Sequence, residues 1–336
     1  MRKLGLSLIV FMSFFILTYS CGDNSTDQGD TGTGTGTGTG SGSGPGLIKT
    51  LTDTAEVRAV KFSPDAKYIL SGGSEGIISL WDISTGYKTA EYSEHTLSIT
   101  SLSFSPDGLY FVSGSYDMSV KKWDVNSGAC LLTMNKHTSI VRSVAYSPDG
   151  TKAASSGDDQ TIVLWNITTG GYIRTLTGHN KAVWDVCFTP DSKQILSASD
   201  DSTLILWDVN TGNRIKKFTG QENGIRCVDI SSDGMFALSG GQDNDLRLWE
   251  IASGNCQKTF TGHTSIVRSV AYLPSDKYAL SGSYDMSLKL WDTSTGSAKS
   301  TFEGHKDYIF QVDVSADGTM GVSGSRDKTI KIWRLF

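Results

Sequence analysis

Residues 137–166 read HTSIVRSVAYSPDGTKAASSGDDQTIVLWN, and this stretch decides the fold. Ile140–Tyr146 alternates apolar and polar side chains, the pattern of a strand with one face buried. Ser147-Pro148-Asp149-Gly150 follows as a hairpin turn, proline presetting φ and glycine accepting a positive φ. Thr151–Ser155 and Thr161–Trp165 are the next two strands, joined by a tight Ser156–Gln160 turn, and Tyr172–Thr177 is a fourth.

The stretch is one period of a repeat. Trp165 belongs to a column of tryptophans, Trp81, Trp123, Trp165, Trp207, Trp249, Trp291 and Trp333, spaced 42 residues apart without a slip. Self-similarity at a fixed period of this length marks stacked copies of one supersecondary unit. Ser71, Ser113, Ser155, Ser197, Ser239, Ser281 and Ser323 form a second column, and Glu75, Asp117, Asp159, Asp201, Asp243, Asp285 and Asp327 a third. All five histidines share one phase, His95, His137, His179, His263 and His305, with Asp53 and Gln221 in the two remaining places. Four short strands per period, repeated, imply an all-β radial array rather than an open sheet. A residue repeated in phase builds the unit; a residue that varies at its phase is a candidate for function.

These residues resemble the WD-repeat (WD40) β-propeller family over residues 47–336. The Gly-His and Trp-Asp signatures stand at Gly178-His179, Gly262-His263, Gly304-His305, Trp81-Asp82, Trp123-Asp124, Trp207-Asp208 and Trp291-Asp292. Trp165-Asn166, Trp249-Glu250 and Trp333-Arg334 depart from the pattern, as do the first and fifth units, which lack histidine. The resemblance implies a seven-bladed β-propeller of four-stranded antiparallel blades. It also implies a buried hydrogen-bonded tetrad in each blade, with His179, Ser197, Asp201 and Trp207 as one set. The first and fifth units must satisfy these groups by other means. A Ser-His-Asp trio also suggests a hydrolase, but an enzyme has little use for identical nucleophiles in several blades, and buried polar groups need partners in any case.

Trp333 falls on a third strand and only Arg334-Leu335-Phe336 follow, so the seventh blade lacks an outer strand of its own. Residues 47–52 look like the outer strand Tyr172–Thr177 and precede the first unit. The N-terminal strand is therefore expected to complete the last blade, closing the ring and removing two sheet edges.

Ahead of the repeats, Met1-Arg2-Lys3 is basic, Leu4–Tyr19 is almost uninterruptedly apolar, and Ser20-Cys21 ends the run. These are the parts of a secretory signal, residues 1–20. The segment resembles bacterial lipoprotein signals, in which the cysteine is lipidated and becomes N-terminal, although Thr18 and Tyr19 depart from the usual pattern. Plain secretion after cleavage at Ser20 and an uncleaved anchor are the alternatives. Residues 21–46 then form Cys21 and a Gly/Thr/Ser linker with almost nothing apolar to bury, the composition of a flexible tether. The expected location is the bacterial cell envelope, at the outer membrane or periplasmic face, with membrane attachment through the N-terminal lipid.

The formal charge of −5 and pI near 5.5 give no global electrostatic case for nucleic acid. Cys130, Cys187, Cys227 and Cys256 show no metal-ligand spacing and read as small buried side chains. No phosphate loop or zinc-type histidine pair is present. No catalytic residue, metal site or cofactor is expected.

Function should then lie where the units differ. In the resembling family partners bind around one mouth of the central channel. One phase just inside the first strand reads Arg58, Thr100, Arg142, Trp184, Arg226, Arg268 and Phe310. Two flanking phases add Tyr308, Tyr116 and Tyr284, and also Asp158, Asp200 and Arg326. The candidate binding set is Arg58, Tyr116, Arg142, Trp184, Arg226, Arg268, Tyr284, Tyr308 and Phe310. Arginine with exposed aromatic rings is the composition that carries binding energy at interfaces. The expected function is a non-catalytic protein–protein interaction scaffold, a monomeric propeller gripping a protein or peptide segment that bears a carboxylate or other acidic group. Three alternatives stand beside it. Arg142 and its equivalents could pair with Asp158 and Asp200 and merely cover the channel. The protein could be an exported propeller enzyme or small-ligand binder using the channel, or an adhesive surface protein.

Overall fold

The computed structural model describes residues 44–336, and residues 1–20, expected above to be a secretory signal, with Cys21 and most of the linker, lie outside the described residues. Strands are numbered in chain order. The third period shows how each blade is made: β10 (Val141–Tyr146), β11 (Lys152–Gly157), β12 (Thr161–Asn166) and β13 (Gly171–Thr177) form one antiparallel sheet in sequential order. The hairpin between β10 and β11 is set by its side chains. Ser147 Oγ donates to Asp149 Oδ1 at 2.6 Å and accepts from the Lys152 amide at 2.9 Å, while Gly150 takes φ 71°. Seven such four-stranded sheets occur among the described residues.

The seventh sheet has the order β1-β28-β27-β26, where β1 is Gly46–Thr52, β26 Ile309–Val314, β27 Met320–Ser325 and β28 Thr329–Arg334. The first strand of the repeat region thus supplies the outer strand of the last blade. Its register slips between Leu47 and Lys49, just as the outer strand β13 slips opposite Leu164 and Trp165. The substitute strand reproduces the irregularity of the strand it replaces.

The apolar core lies between blades. Ala154, Ile162, Leu164 and Leu176 of the third blade pack with Val183, Val186, Phe188, Ile195 and Trp207 of the fourth. Across the closing seam Leu51, Val322, Ile330 and Ile332 pack with Val57, Val60, Phe62, Ile69 and Trp81. Removing such surface from water is the main favourable term in folding, and here every blade depends on both neighbours for it.

The inner strands add polar staples across the seams. The Val228 amide donates to Asp185 Oδ2 (3.0 Å), the Tyr272 amide to Asp229 Oδ2 (2.7 Å) and the Phe62 amide to Asp313 Oδ2 (2.9 Å). Ser101 and Ser269 accept from the Val144 and Val312 amides, each at 3.1 Å. Adjacent inner strands share no sheet ladder, so these side chains answer amides that would otherwise lack partners in a buried seam.

The cysteines correct the sequence reading. Cys227 is buried at 2% exposure, but Cys130 and Cys187 are only half-buried and Cys256 is exposed. All four are free thiols. Cys256 lies in an outer strand, where alternate side chains face solvent.

Candidate protein-interaction site

The polar columns are locked together inside the blades. His179 Nδ1 lies 2.9 Å from Asp201 Oδ2 and its Nε2 lies 2.8 Å from Ser197 Oγ, which accepts from Trp207 Nε1 at 2.9 Å. With the Nδ1 proton on the aspartate side, the serine hydroxyl donates to Nε2, so both ring nitrogens of His179, the Ser197 hydroxyl and the Trp207 indole all have partners. His95, His137, His263 and His305 head equivalent sets. Burial alone would raise the Asp201 carboxyl, but hydrogen bonds from His179 and Thr203 overcome it and hold the group far below the usual carboxylate range. In the fifth blade Gln221 spans the same gap, accepting from Ser239 at 2.8 Å and donating to Asp243 at 3.1 Å, and Arg247 pairs with Asp243. In the first, Ser71 reaches Asp53 at 3.3 Å and Lys88 stands against that carboxylate. The histidines and these serines are therefore fully engaged within the blades.

The variable phase is placed by a backbone irregularity. In every inner strand the ladder skips one residue, between Val57 and Ala59, Ile99 and Ser101, Val141 and Ser143, Val183 and Asp185, Ile225 and Cys227, Val267 and Ser269, and Ile309 and Gln311. The skipped residues are Arg58, Thr100, Arg142, Trp184, Arg226, Arg268 and Phe310. Each is the extra residue of a β-bulge, unpaired and re-aimed relative to its neighbours.

These bulges bring the candidate residues together. Arg142 and Arg226 lie 4.1 and 3.8 Å from the centroid of the Trp184 ring, and Arg268 lies 5.0 Å from it. Two guanidiniums so close to one centroid must occupy opposite faces, so Trp184, flanked by the third and fifth blades, is sandwiched between charges. Its Nε1 donates to Asp200 Oδ2 at 2.8 Å. On the other side of the mouth, Tyr284 stacks on Tyr308 at 4.5 Å and meets Phe310 edge-on at 5.9 Å. Arg58 bridges the two parts, donating to the Tyr116 hydroxyl at 3.1 Å and lying 5.1 Å from the Phe310 ring.

All nine candidates thus share one cluster, with one correction. Phe310 is only 8% exposed, covered by Tyr284 and Arg58, so it backs the rim rather than presenting a face. Tyr308 is the exposed ring of the group.

The arginines are not equivalent. Arg142 makes a two-pronged pair with Asp158 (2.6 and 2.5 Å) and Arg226 reaches Asp200 at 3.1 Å. Arg58 pairs with Glu56 at 2.8 Å, and Arg326 with Glu56 at 3.2 Å. Arg268 has no ion pair or hydrogen bond among the described residues. Burial pulls the Arg226 pKa down against the attraction of Asp200, and repulsion from Arg268 and Arg142 adds to the fall.

Below the mouth the channel encloses about 280 Å³ and is lined by residues the sequence reading passed over, Lys61, Asp185, Asp229 and Asp313 among them. Their signal was present: charged residues stand at inner-strand phases where other units carry Ser, Ala or Cys. Lys61 Nζ pairs with Asp313 at 2.6 Å, whereas burial pushes the Asp229 carboxyl up to about 6 despite the amides it accepts and the nearby Lys61. Among the described residues no group of three or more His, Cys, Asp or Glu side chains is placed to hold a metal ion.

Comparison with known proteins agrees with this geometry. A family model described as WD domain, G-beta repeat, matches residues 46–82, 86–124, 254–292 and 296–334, and a β-propeller model described as WDR41 matches residues 131–261. No curated protein matches the chain. Seven phased blades, their internal tetrads and these matches place the chain in the WD-repeat (WD40) β-propeller family.

Proposed function

We propose that the protein is a non-catalytic interaction scaffold that grips a protein or peptide segment bearing an acidic group at the channel mouth. The observation that carries this is the row of seven bulges. The one inner-strand position freed from the ladder in every blade is also the position whose side chains vary, and it collects four arginines and Trp184 on one rim. WD-repeat propellers generally serve as protein-interaction platforms, which supports the same reading. Rigid rings and guanidinium forks give up little conformational freedom on binding and dominate interface energetics. The Ser-His-Asp sets are spent on holding blades together, which speaks against a hydrolase. Attachment to the bacterial envelope through a lipid on Cys21 belongs to the same proposal and rests on the basic, apolar and small-residue order of residues 1–21.

A pull-down from envelope extract tests it, comparing wild type with Arg142→Ala, Trp184→Ala and Arg268→Ala. Loss of a partner in Trp184→Ala and Arg268→Ala is expected; unchanged recovery in all three rejects the mouth as the site. The enclosed channel volume with its charged lining favours a second reading, a small ligand held within the ring. Retention of the partner together with small-molecule binding lost in Asp185→Asn would favour it.

A further inference from the structure

The rim is not uniformly cationic. Five arginines stand there, Arg58, Arg142, Arg226, Arg268 and Arg326, against four acids that pair with them, Glu56, Asp158, Asp200 and Asp307. The imbalance is localised between the fifth and sixth blades. Asp200 is shared, accepting from Trp184 Nε1 while it pairs with Arg226 Nη2. Arg226 Nη1 is buried and has no hydrogen-bond partner. Arg268, one blade further round, carries its charge with no acid in contact. The acid that acts on it from inside the channel is Asp185, whose oxygens already accept from the Ser143 hydroxyl and the Val186 and Val228 amides. Both guanidiniums lie within 5.0 Å of the same indole centroid, and Arg268 repels Arg226 more strongly than Arg142 does, so the two cations are neighbours on the rim.

We propose that Arg226 and Arg268 form an oxyanion pocket on the rim, taking one carboxylate of the bound partner with its apolar continuation laid along Tyr284 and Tyr308. Resting on the mouth being the binding face, this fixes the polarity of the ligand: acid over the fifth and sixth blades, apolar group toward the seventh. Two observations point there. A buried donor without an acceptor costs free energy until one arrives. Like charges drawn to one ring also repel each other until an anion lies between them. Arg142 is left out because Asp158 already holds both its prongs.

The probes are N-acetyl-phenylalanine, its amide, and inorganic phosphate, titrated calorimetrically into the full-length protein at millimolar concentrations. The acid should bind, and the amide should bind about tenfold or more weakly, as expected for loss of a charge-assisted hydrogen bond. Arg268→Ala should lose the acid by a similar factor at an unchanged melting midpoint, because Arg268 makes no hydrogen bond to forfeit. Arg268→Gln checks that outcome if the alanine variant folds poorly. Arg214→Ala, an exposed arginine on the outer strand of the fourth blade, should bind as wild type. Phosphate binding that also disappears in Arg268→Ala supports the pocket and assigns it to a bare oxyanion. Equal binding of acid and amide, no binding of either oxyanion, or binding undiminished in Arg268→Ala overturns it. A partner still captured by Arg268→Ala but lost in Trp184→Ala would remove the pocket and leave the mouth as the docking face.

Discussion

Ser197→Ala is the sharpest probe of what holds a blade together. The hydroxyl bridges two buried groups, accepting from Trp207 Nε1 at 2.9 Å and meeting His179 Nε2 at 2.8 Å. Alanine leaves both without a partner where neither is open to water. Each orphaned group costs about 1–3 kcal/mol, so the variant should lose about 2–6 kcal/mol. Unfolding entropy near 2.1 cal/mol/K per residue gives roughly 0.6 kcal/mol per degree for a ring of this size, hence a fall in melting midpoint of about 3–10 °C. Calorimetry or circular dichroism on wild type, Ser197→Ala, Trp207→Phe and the double variant would separate the bond from ring packing. In the Ser197→Ala background Trp207→Phe should cost less than in wild type, because the indole donor has already lost its acceptor. A midpoint shift under about 1 °C in Ser197→Ala would refute the reasoning, since nothing else at that site could absorb two unpaired groups.

Three further expectations can be checked with purified protein. Deleting residues 46–52 strips β28 of its antiparallel partner and removes Leu51 from the closing seam, so it should abolish cooperative melting; a truncation that melts like the parent refutes the closure. Acidification should act with two signs. The carboxyls of Asp117, Asp159, Asp201, Asp285 and Asp327 lie below their ordinary 3.8 in the fold (Asp159 at about 2), so the stability they confer, full above about pH 4, is lost as pH falls below it. Asp229, raised to about 6, runs the other way: its contribution is full below 3.8 and lost as pH rises toward 6, so Asp229→Asn should flatten the melting profile between pH 4 and 6. Thiol reactivity should follow exposure, with Cys256→Ser removing a thiol that labels in the folded state and Cys227→Ser removing one that labels only after unfolding.

The ring was legible because its determinants are periodic. Trp, Ser and His recur at one phase for a local reason, the tetrad, so seven copies of a weak signal add up to a strong one. Closure by Gly46–Thr52 could be anticipated for the same reason, since a displaced outer strand still looks like its counterparts. The rim residues were found as a varying column, but what aims them was hidden. A bulge is a backbone event, and Arg58, Thr100, Trp184 and Phe310 share no side-chain chemistry that would announce it. The channel carboxylates were passed over for the opposite reason. Asp185, Asp229 and Asp313 do break their columns, yet an aspartate on an alternating strand looks solvent-facing until the ring closes round it. Phe310 shows the remaining gap, because covering by Tyr284 is a contact between blades that no single period encodes.

The bulges have a consequence for how such a ring can change. Because Arg58, Arg142, Trp184, Arg226, Arg268 and their two companions sit outside the ladder, none of them sets strand register. The architecture thus offers replaceable letters on a fixed frame. Exchanging those that make no bond into the blades, Arg268 first, should re-address the protein to a new ligand with little penalty to folding, whereas Thr100, which donates to the Val141 carbonyl, and buried Phe310 belong to the frame.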